Sequence, residues 1–377
     1  MAAQRVLHII SSTMRAGVTA MVMNVYRHAD HDKLQFDFVA HDLGDDDFGD
    51  EITRLGGRVF RVPFLSQAGM PGFVRLIRRI ISDNGPYAAV HAHTDYQGGF
   101  SAWAAKQSGI PIRICHAHSD TRSILSPVFL AKKHLGRAII ARYATQRCAC
   151  SRYAGLSLFG KRAVSKGRVT VIRNGIDLSG FSDCPPLVKE QLRQSCGADA
   201  QSRLIGYVGR LSREKNPAFM LEMAAEAQRQ GLNYRFVLAG SGDMRDTLLR
   251  ARAHLHLEDT VCFLGTRDDI PSLMQCFDMV VVPSFYEGLP LAALEAQAAG
   301  TPVIVTASVP RDADMDLGLF HSMDLAAGAK GWLRRAGVLL ADAVRPDAAV
   351  RIQAIRDKGF DAAANAACVI SLYGLNN

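Results

Sequence analysis

No apolar run in this 377-residue chain reaches the ~18 residues that a membrane-crossing helix needs, so no span of that kind is expected. The N-terminal apolar run, Val6 to Ile10, is too short for the core of a secretory signal and ends without a cleavage pattern, so the chain is expected to stay in the cytosol. None of the eight cysteines sits in a CxxC pair or at a His–Cys spacing typical of zinc sites. The nearest pair, Cys148 and Cys150, reads as two small buried hydrophobes on one side of a strand, and reduced thiols fit the cytosol. Short-period repeats and low-complexity tracts are also missing. With 48% hydrophobic and 21% charged residues, the composition can build a sizeable core, which excludes disorder as the main state.

Acidic residues are missing from one long stretch. Between Thr121 and Ile176 there are 12 basic side chains and no acidic one. Residues 1–176 carry 24 Lys/Arg against 12 Asp/Glu, a net of +12, and residues 177–377 carry 20 against 24, a net of −4. A basic half beside a mildly acidic half points to two modules, the first of which meets something negative. Lys132, Lys133, Arg137, Arg142, Arg147 and Arg152 share a stretch with Leu130, Leu135, Ile139 and Ile140, and Phe73–Ile81 has a similar basic-amphipathic character. Such faces can rest on anionic lipid headgroups, each cation contributing about 1 kcal/mol near the surface; the competing reading is a solvated helix face. Nucleic acid is not expected as a partner, because no recognition motif interleaves these charges.

Short apolar runs alternate with helical stretches along both halves. In the first half the β-like runs are Arg5–Ser11, Phe36–Ala40, Arg58–Val62, Ala88–His91, Ile112–Cys115 and Val169–Ile172, with helices over Val18–His28, Gln97–Gln107 and Pro127–Tyr143. In the second half they are Leu204–Val208, Arg235–Leu238, Val261–Leu264, Met279–Val282 and Val303–Val305, with helices over Pro217–Gln230 and Asp243–Leu255. Runs such as MVVVP are apolar on both faces, as central parallel strands should be. The fold class is therefore α/β, two doubly wound sheets that each place ligands at the carboxyl ends of their strands.

Two segments carry chemistry. In Glu287-Gly-Leu-Pro-Leu-Ala-Ala-Leu-Glu295, Pro290 suits the first position of a helix, and Gly288 and Leu289 would offer backbone amides to an anion there. Glu287 can accept hydrogen bonds from hydroxyl groups, and Glu295, five residues past Pro290 and so about 7.5 Å along the axis from it, is a carboxylate in an otherwise apolar helix that needs a polar partner. In Gly206-Tyr-Val-Gly209-Arg210-Leu-Ser-Arg-Glu-Lys215-Asn-Pro217, a strand ends in glycines that allow close backbone approach. Arg210 and Lys215 follow, cations suited to a diphosphate by fork and by point charge. The pairs His91-Ala-His93 and His116-Ala-His118 raise metal binding, but no Asp, Glu or Cys constellation accompanies them, so no metal is expected.

Together these segments, with LAGSGD (Leu238–Asp243), FLGTRDD (Phe263–Asp269) and RNGID (Arg173–Asp177), resemble the retaining glycosyltransferases of family 4, which have the GT-B fold. The resemblance covers nearly the whole chain, and its ends look like the subgroup of bacterial exopolysaccharide and capsule synthesis. It implies an N-terminal acceptor-side domain over 1–173, a C-terminal nucleotide-sugar domain over 174–355, and a segment over 356–377 that returns to the first domain. It implies that Glu287 contacts donor-sugar hydroxyls, Glu295 binds the ribose, and Arg210 and Lys215, with Gly209 beside them, hold the diphosphate in place of a divalent ion. Arg267 marks the region that meets the base, and Gly17 the loop that closes over the diphosphate. That loop departs from the family pattern at Ala16 and Thr19. A histidine beside the donor sugar matches His116 first and His118 second; Asp120 is a candidate for orienting the acceptor. The implied activity is transfer of a hexose-type sugar from a nucleotide-diphosphate sugar to a saccharide, usually a lipid-linked one, at the inner face of the membrane. The alternatives are a nucleotide-sugar 2-epimerase, against which the GRLSREKNP segment argues, and a non-catalytic scaffold, which the altered loop favours and the retained acids and cations oppose.

Overall fold

A computed structural model describes residues 3–14, 17–41, 47–119, 121, 124, 126–287, 289–342 and 344–374. The chain divides into two compact units, one of Met1–Gly175 with Ala362–Asn377 and one of Ile176–Asp361.

The first unit is built on seven parallel strands: β1 (Gln4–Ile9), β2 (Leu34–Ala40), β3 (Arg58–Arg61), β4 (Ala89–Ala92), β5 (Ile112–Ala117), β6 (Gln146–Ala149) and β7 (Thr170–Val171). Their spatial order is β3-β2-β1-β4-β5-β6-β7. The order reverses between β1 and β4, which makes their carboxyl ends the switch point where a ligand crevice opens. Alternation along β1 sends Leu7 and Ile9 into a core with Phe73, Ile77 and Phe100 from helices Leu65–Asn84 and Gly98–Gln107. It sends Val6 and Ile10 into a second core with Val22 and Tyr26 from helix Gly17–Arg27 and Ala366 and Val369 from helix Ala362–Ser371. At the opposite end, fully buried Asp37 on β2 accepts from Arg5 Nη1 (2.6 Å), the Arg58 backbone amide (3.1 Å) and Tyr87 Oη (2.7 Å).

The second unit has six parallel strands: β8 (Arg203–Val208), β9 (Tyr234–Ala239), β10 (Val261–Gly265), β11 (Met279–Val282), β12 (Val303–Thr306) and β13 (Phe320–Met323), in the order β10-β9-β8-β11-β12-β13. Its switch point lies between β8 and β11.

Several expectations change. The chain leaves the second unit after Asp361 and not at 356, because Ile355 and Phe360 are buried in that unit's core and the Phe360 carbonyl accepts from Ile176 N at 2.9 Å. Cys148 is buried on β6, but Cys150 lies past the strand, where its thiol donates to the His118 carbonyl. Lys133 is not on a solvated face: it is buried, and its Nζ donates to Thr121 Oγ1 (2.9 Å) and Ser157 Oγ (3.1 Å).

Candidate active site

In the second unit, the loops leaving β8, β9, β10 and β11 are stitched together through their backbones. Gly209 N donates to the Ala239 carbonyl (3.0 Å), Leu211 N to Ser241 O (2.8 Å), Gly240 N to Gly265 O (2.8 Å) and Phe285 N to Glu214 O (2.9 Å). Only glycine fits at position 240: its φ is +140°, and a Cβ there would stand 2.0 Å from the Gly209 carbonyl oxygen. The Tyr207 hydroxyl donates to the Arg210 carbonyl at 2.8 Å. The turn Arg213–Lys215 ends at Asn216, which takes the left-handed conformation (φ 52°) and donates its side-chain amide to the Pro283 carbonyl at 3.2 Å. A rigid rim therefore carries Arg210 and Lys215.

Lys215 and Glu287, expected at different parts of one ligand, are brought together. Lys215 Nζ donates to both Glu287 oxygens at 2.7 and 2.6 Å, and Ser284 Oγ donates to Glu287 Oε1 at 2.8 Å. The Glu287 side chain is 6% exposed and that of Lys215 27%, so the lysine's outer side stays open to an anion while its charge satisfies the buried acid. Arg210 is more exposed, with Glu214 at 3.6 Å, and its fork is available to a ligand.

The helix that follows runs Leu291–Ala298, so Pro290 is its capping residue and not its first helical residue. Leu289 is half-buried against the core, and Gly288 lies outside the described residues. Glu295 has no hydrogen-bond partner for its carboxyl among the described residues, and burial pushes it up to about 7. Near neutrality it can therefore both accept and donate toward hydroxyl groups. The guanidinium of Arg267 is held by Asp269 at 2.8 and 2.6 Å; this bonding holds the aspartate below the usual carboxylate range.

In the first unit, Gly17 opens the first helix with free space around it. Thr19 turns inward, donating Oγ1 to the Ser12 carbonyl at 2.7 Å. Ala16 and Asp120 lie outside the described residues. At the switch point a cavity of about 240 Å³ is lined by Ser11, His93, Asp95, His118, Lys133 and Ser157, among others. His118 follows the end of β5 and lines this cavity, its backbone amide held by Asp95 Oδ1 at 2.8 Å. His116 lies inside β5, is fully buried, and bonds His91 (Nδ1 to Nε2, 3.2 Å). The histidine that lines the cavity is thus His118, the second choice, because the strand ends between the two.

The sequence also missed how many histidines gather here. His8 of β1 is registered opposite His91 of β4, and both pack with His93, His116 and His118 on one face of the sheet with Tyr373. Burial pushes His8 and His118 down to about 3, and His91, His93 and His116 well below the usual range, so all five are neutral. The unusual polar residue within the apolar β1 run, His8, is the signal that could have revealed the cluster.

Comparison with known proteins places this geometry in a family. Residues 188–314 match the glycosyl transferases group 1 and residues 16–175 the glycosyl transferase 4-like domain. The chain is 37% identical over 377 residues to the Bacillus subtilis (strain 168) protein named as glycosyltransferase EpsF, covering 99% of this chain and 97% of that one. It is 27% identical over 315 residues to the UDP-Gal:alpha-D-GlcNAc-diphosphoundecaprenol alpha-1,3-galactosyltransferase of Escherichia coli, covering 80% and 79%. Among solved structures, Anabaena Alr3699/HepE in complex with UDP and glucose superposes with a TM-score of 0.74 at 21% identity, covering 99% of this chain and 100% of that one. The chain belongs to the family 4 glycosyltransferases of the GT-B fold, in the branch of exopolysaccharide synthesis, and is a glycosyltransferase enzyme.

Proposed function

We propose that this enzyme moves a hexose-type sugar from a UDP-sugar to a lipid-linked saccharide, with retention of the donor's anomeric configuration. The observation that carries the reading is the Lys215–Glu287–Ser284 cluster beside Arg210 at the switch point of the second sheet. One half-exposed ammonium there serves a buried acid on one side and is open on the other. A diphosphate on the open side gains both cations, and a sugar attached to it reaches Glu287. As the bond to the anomeric carbon breaks, charge grows on the leaving diphosphate, and Arg210 and Lys215 stabilise it from fixed positions. They fill the role a divalent ion takes in other transferases, so the donor step needs no added metal. Glu295 receives the ribose hydroxyls, with the segment near Arg267 toward the base and Gly209 and Leu289 offering backbone near the phosphates. No pair of close carboxylates of the retaining-hydrolase kind is invoked; the leaving phosphate assists loss of the acceptor proton on the same face. In the first unit, the cavity lined by His118 is the place for the saccharide acceptor.

The donor class is supported by the neighbours solved with UDP and UDP-glucose, and the acceptor class by the relative named for a diphosphoundecaprenol substrate. Exposed Val128 and Leu135 beside the cations of helix Pro127–Tyr143 support peripheral contact with anionic membrane. The test is a thermal-shift panel of nucleotide sugars, followed by incubation of the best donor with lipid-linked saccharide acceptors and NMR of the new linkage. A UDP-sugar should stabilise the protein and yield a product of unchanged anomeric configuration. An inverted product removes the retaining mechanism, and an epimerised sugar in the absence of acceptor favours the epimerase alternative.

A further inference from the structure

The histidine cluster is one unbranched chain of side chains. His118 Nε2 meets His93 Nδ1 at 3.0 Å, His93 Nε2 meets His8 Nδ1 at 3.1 Å, and His8 Nε2 meets the Tyr373 hydroxyl at 3.4 Å. The same hydroxyl meets His91 Nδ1 at 2.9 Å, and His91 Nε2 meets His116 Nδ1 at 3.2 Å. The two ends, His118 Nδ1 and His116 Nε2, are buried and have no partner among the described residues.

A neutral imidazole has one N–H and one lone pair, so a count of protons fixes what the ends present. If the tyrosine donates to one neighbour, one end shows an N–H and the other a bare lone pair. If both neighbours donate to the tyrosine oxygen, the five imidazole protons fill the five links, both ends show bare lone pairs, and the phenol's own proton is left without an acceptor in the chain of side chains, a cost that cation binding must offset. That second arrangement is what a cation would select. It gives His116, through His91, and His93, through His8, a hydrogen-bonded partner on the far nitrogen, the outer-shell support that metal-bound imidazoles have. His93, His116 and His118 each offer a ring nitrogen within 4.8 Å of the others, and the rings of His116 and His118 are 4.2 Å apart. His8, His91 and His93 meet the same spacing, but all their nitrogens are used within the chain.

We propose that His116 and His118, with His93 as third ligand in exchange for its bond to His118, form a site for a divalent ion that favours imidazole. Zinc, cobalt, nickel and copper fit such a donor set; magnesium and calcium, which take oxygen, do not. The cavity beside His118 leaves room for a water or a ligand oxygen on the ion. The site stands on the first unit and is independent of how the donor binds.

The test uses the full chain, stripped with a chelator and titrated with cobalt(II), followed by visible absorption and metal analysis. The expected result is one tightly bound equivalent with d–d absorption, displaced by zinc and unaffected by magnesium. His118→Gln and His116→Gln should each weaken binding at least tenfold, and Tyr373→Phe, which removes the shared acceptor, by roughly 10–100-fold. A His254→Ala/His256→Ala variant, altered only at exposed histidines, should bind as the wild type does. Absence of bound cobalt in the wild-type chain, or absorption unchanged in a folded His118→Gln protein, overturns the proposal. The wild-type titration decides even where a buried variant fails to fold, and neither readout depends on sugar transfer.

Discussion

Replacing Glu295 with glutamine separates a ribose-binding acid from a structural one. Its carboxyl is pushed from 4.5 to about 7 by burial, a difference worth roughly 3 kcal/mol between its two protonation states. The folded chain holds this proton more tightly than the unfolded chain does. Below 4.5 the group is neutral in both states and stability is unaffected. Between 4.5 and about 7 the unfolded chain ionises first, so stability falls as pH rises; above about 7 the whole loss is present. Glu295→Gln removes an ionisation the fold opposes. The variant should match the wild type at low pH and exceed it above neutrality by at most about 3 kcal/mol, the residue's partial exposure making this an upper bound. Ligand binding should run the other way. Ribose hydroxyls donate to the ionised form, so wild-type affinity for a UDP-sugar should rise by up to about tenfold per pH unit below about 7 and then level off. The variant should bind more weakly at high pH and show no such slope. A UDP-sugar is used because its diphosphate, substituted at both ends, keeps the same two negative charges across this range. Calorimetric titration and urea unfolding at several pH values supply both curves. Parallel curves for the two proteins would refute the reasoning.

Lys215→Ala leaves Glu287 buried with only the Ser284 hydroxyl and should cost roughly 1–3 kcal/mol in a denaturant melt, together with most of the UDP affinity; Glu287→Gln should keep UDP binding and lose transfer. Wild-type UDP affinity in Lys215→Ala would remove the diphosphate role. Gly240→Ala should cost about 2 kcal/mol or more and weaken donor binding, because the Gly209 carbonyl must move; Gly231→Ala, also left-handed (φ +66°) but with open space around it, should cost about 1 kcal/mol and leave binding intact, as thermal melts and titration can show. Asp37→Asn, which leaves Arg5 and Arg58 facing a neutral group, should lower stability by roughly 2–3 kcal/mol in urea without changing UDP affinity.

Much of the architecture was legible because parallel strands buried on both faces write themselves as short apolar runs; Met279–Val282 and helix Pro127–Tyr143 have the expected limits. Strand β13 escaped because Phe320–Met323 is a partly exposed strand with His and Ser in it. Motifs placed Lys215 and Glu287 at strand ends, but not against each other, since 72 residues separate them and only strand order joins β8 to β11. Lys133 looked like one surface cation among several; its burial depends on hydroxyls at Thr121 and Ser157 that no helical period links to it. Tyr373 joins histidines as far as 365 residues away, a relation carried only by the chain's return.

That return sets an order of assembly. The second unit is one uninterrupted stretch, Ile176–Asp361, and can close as soon as it has left the ribosome; the first unit waits for Ala362–Asn377. Until then the helix Gly17–Arg27 has an apolar flank with nothing to cover it, and His8 and His91 lack the phenol that joins them. The earlier half is therefore sealed only after the later one has been made, when Ala362–Asn377 comes back to it.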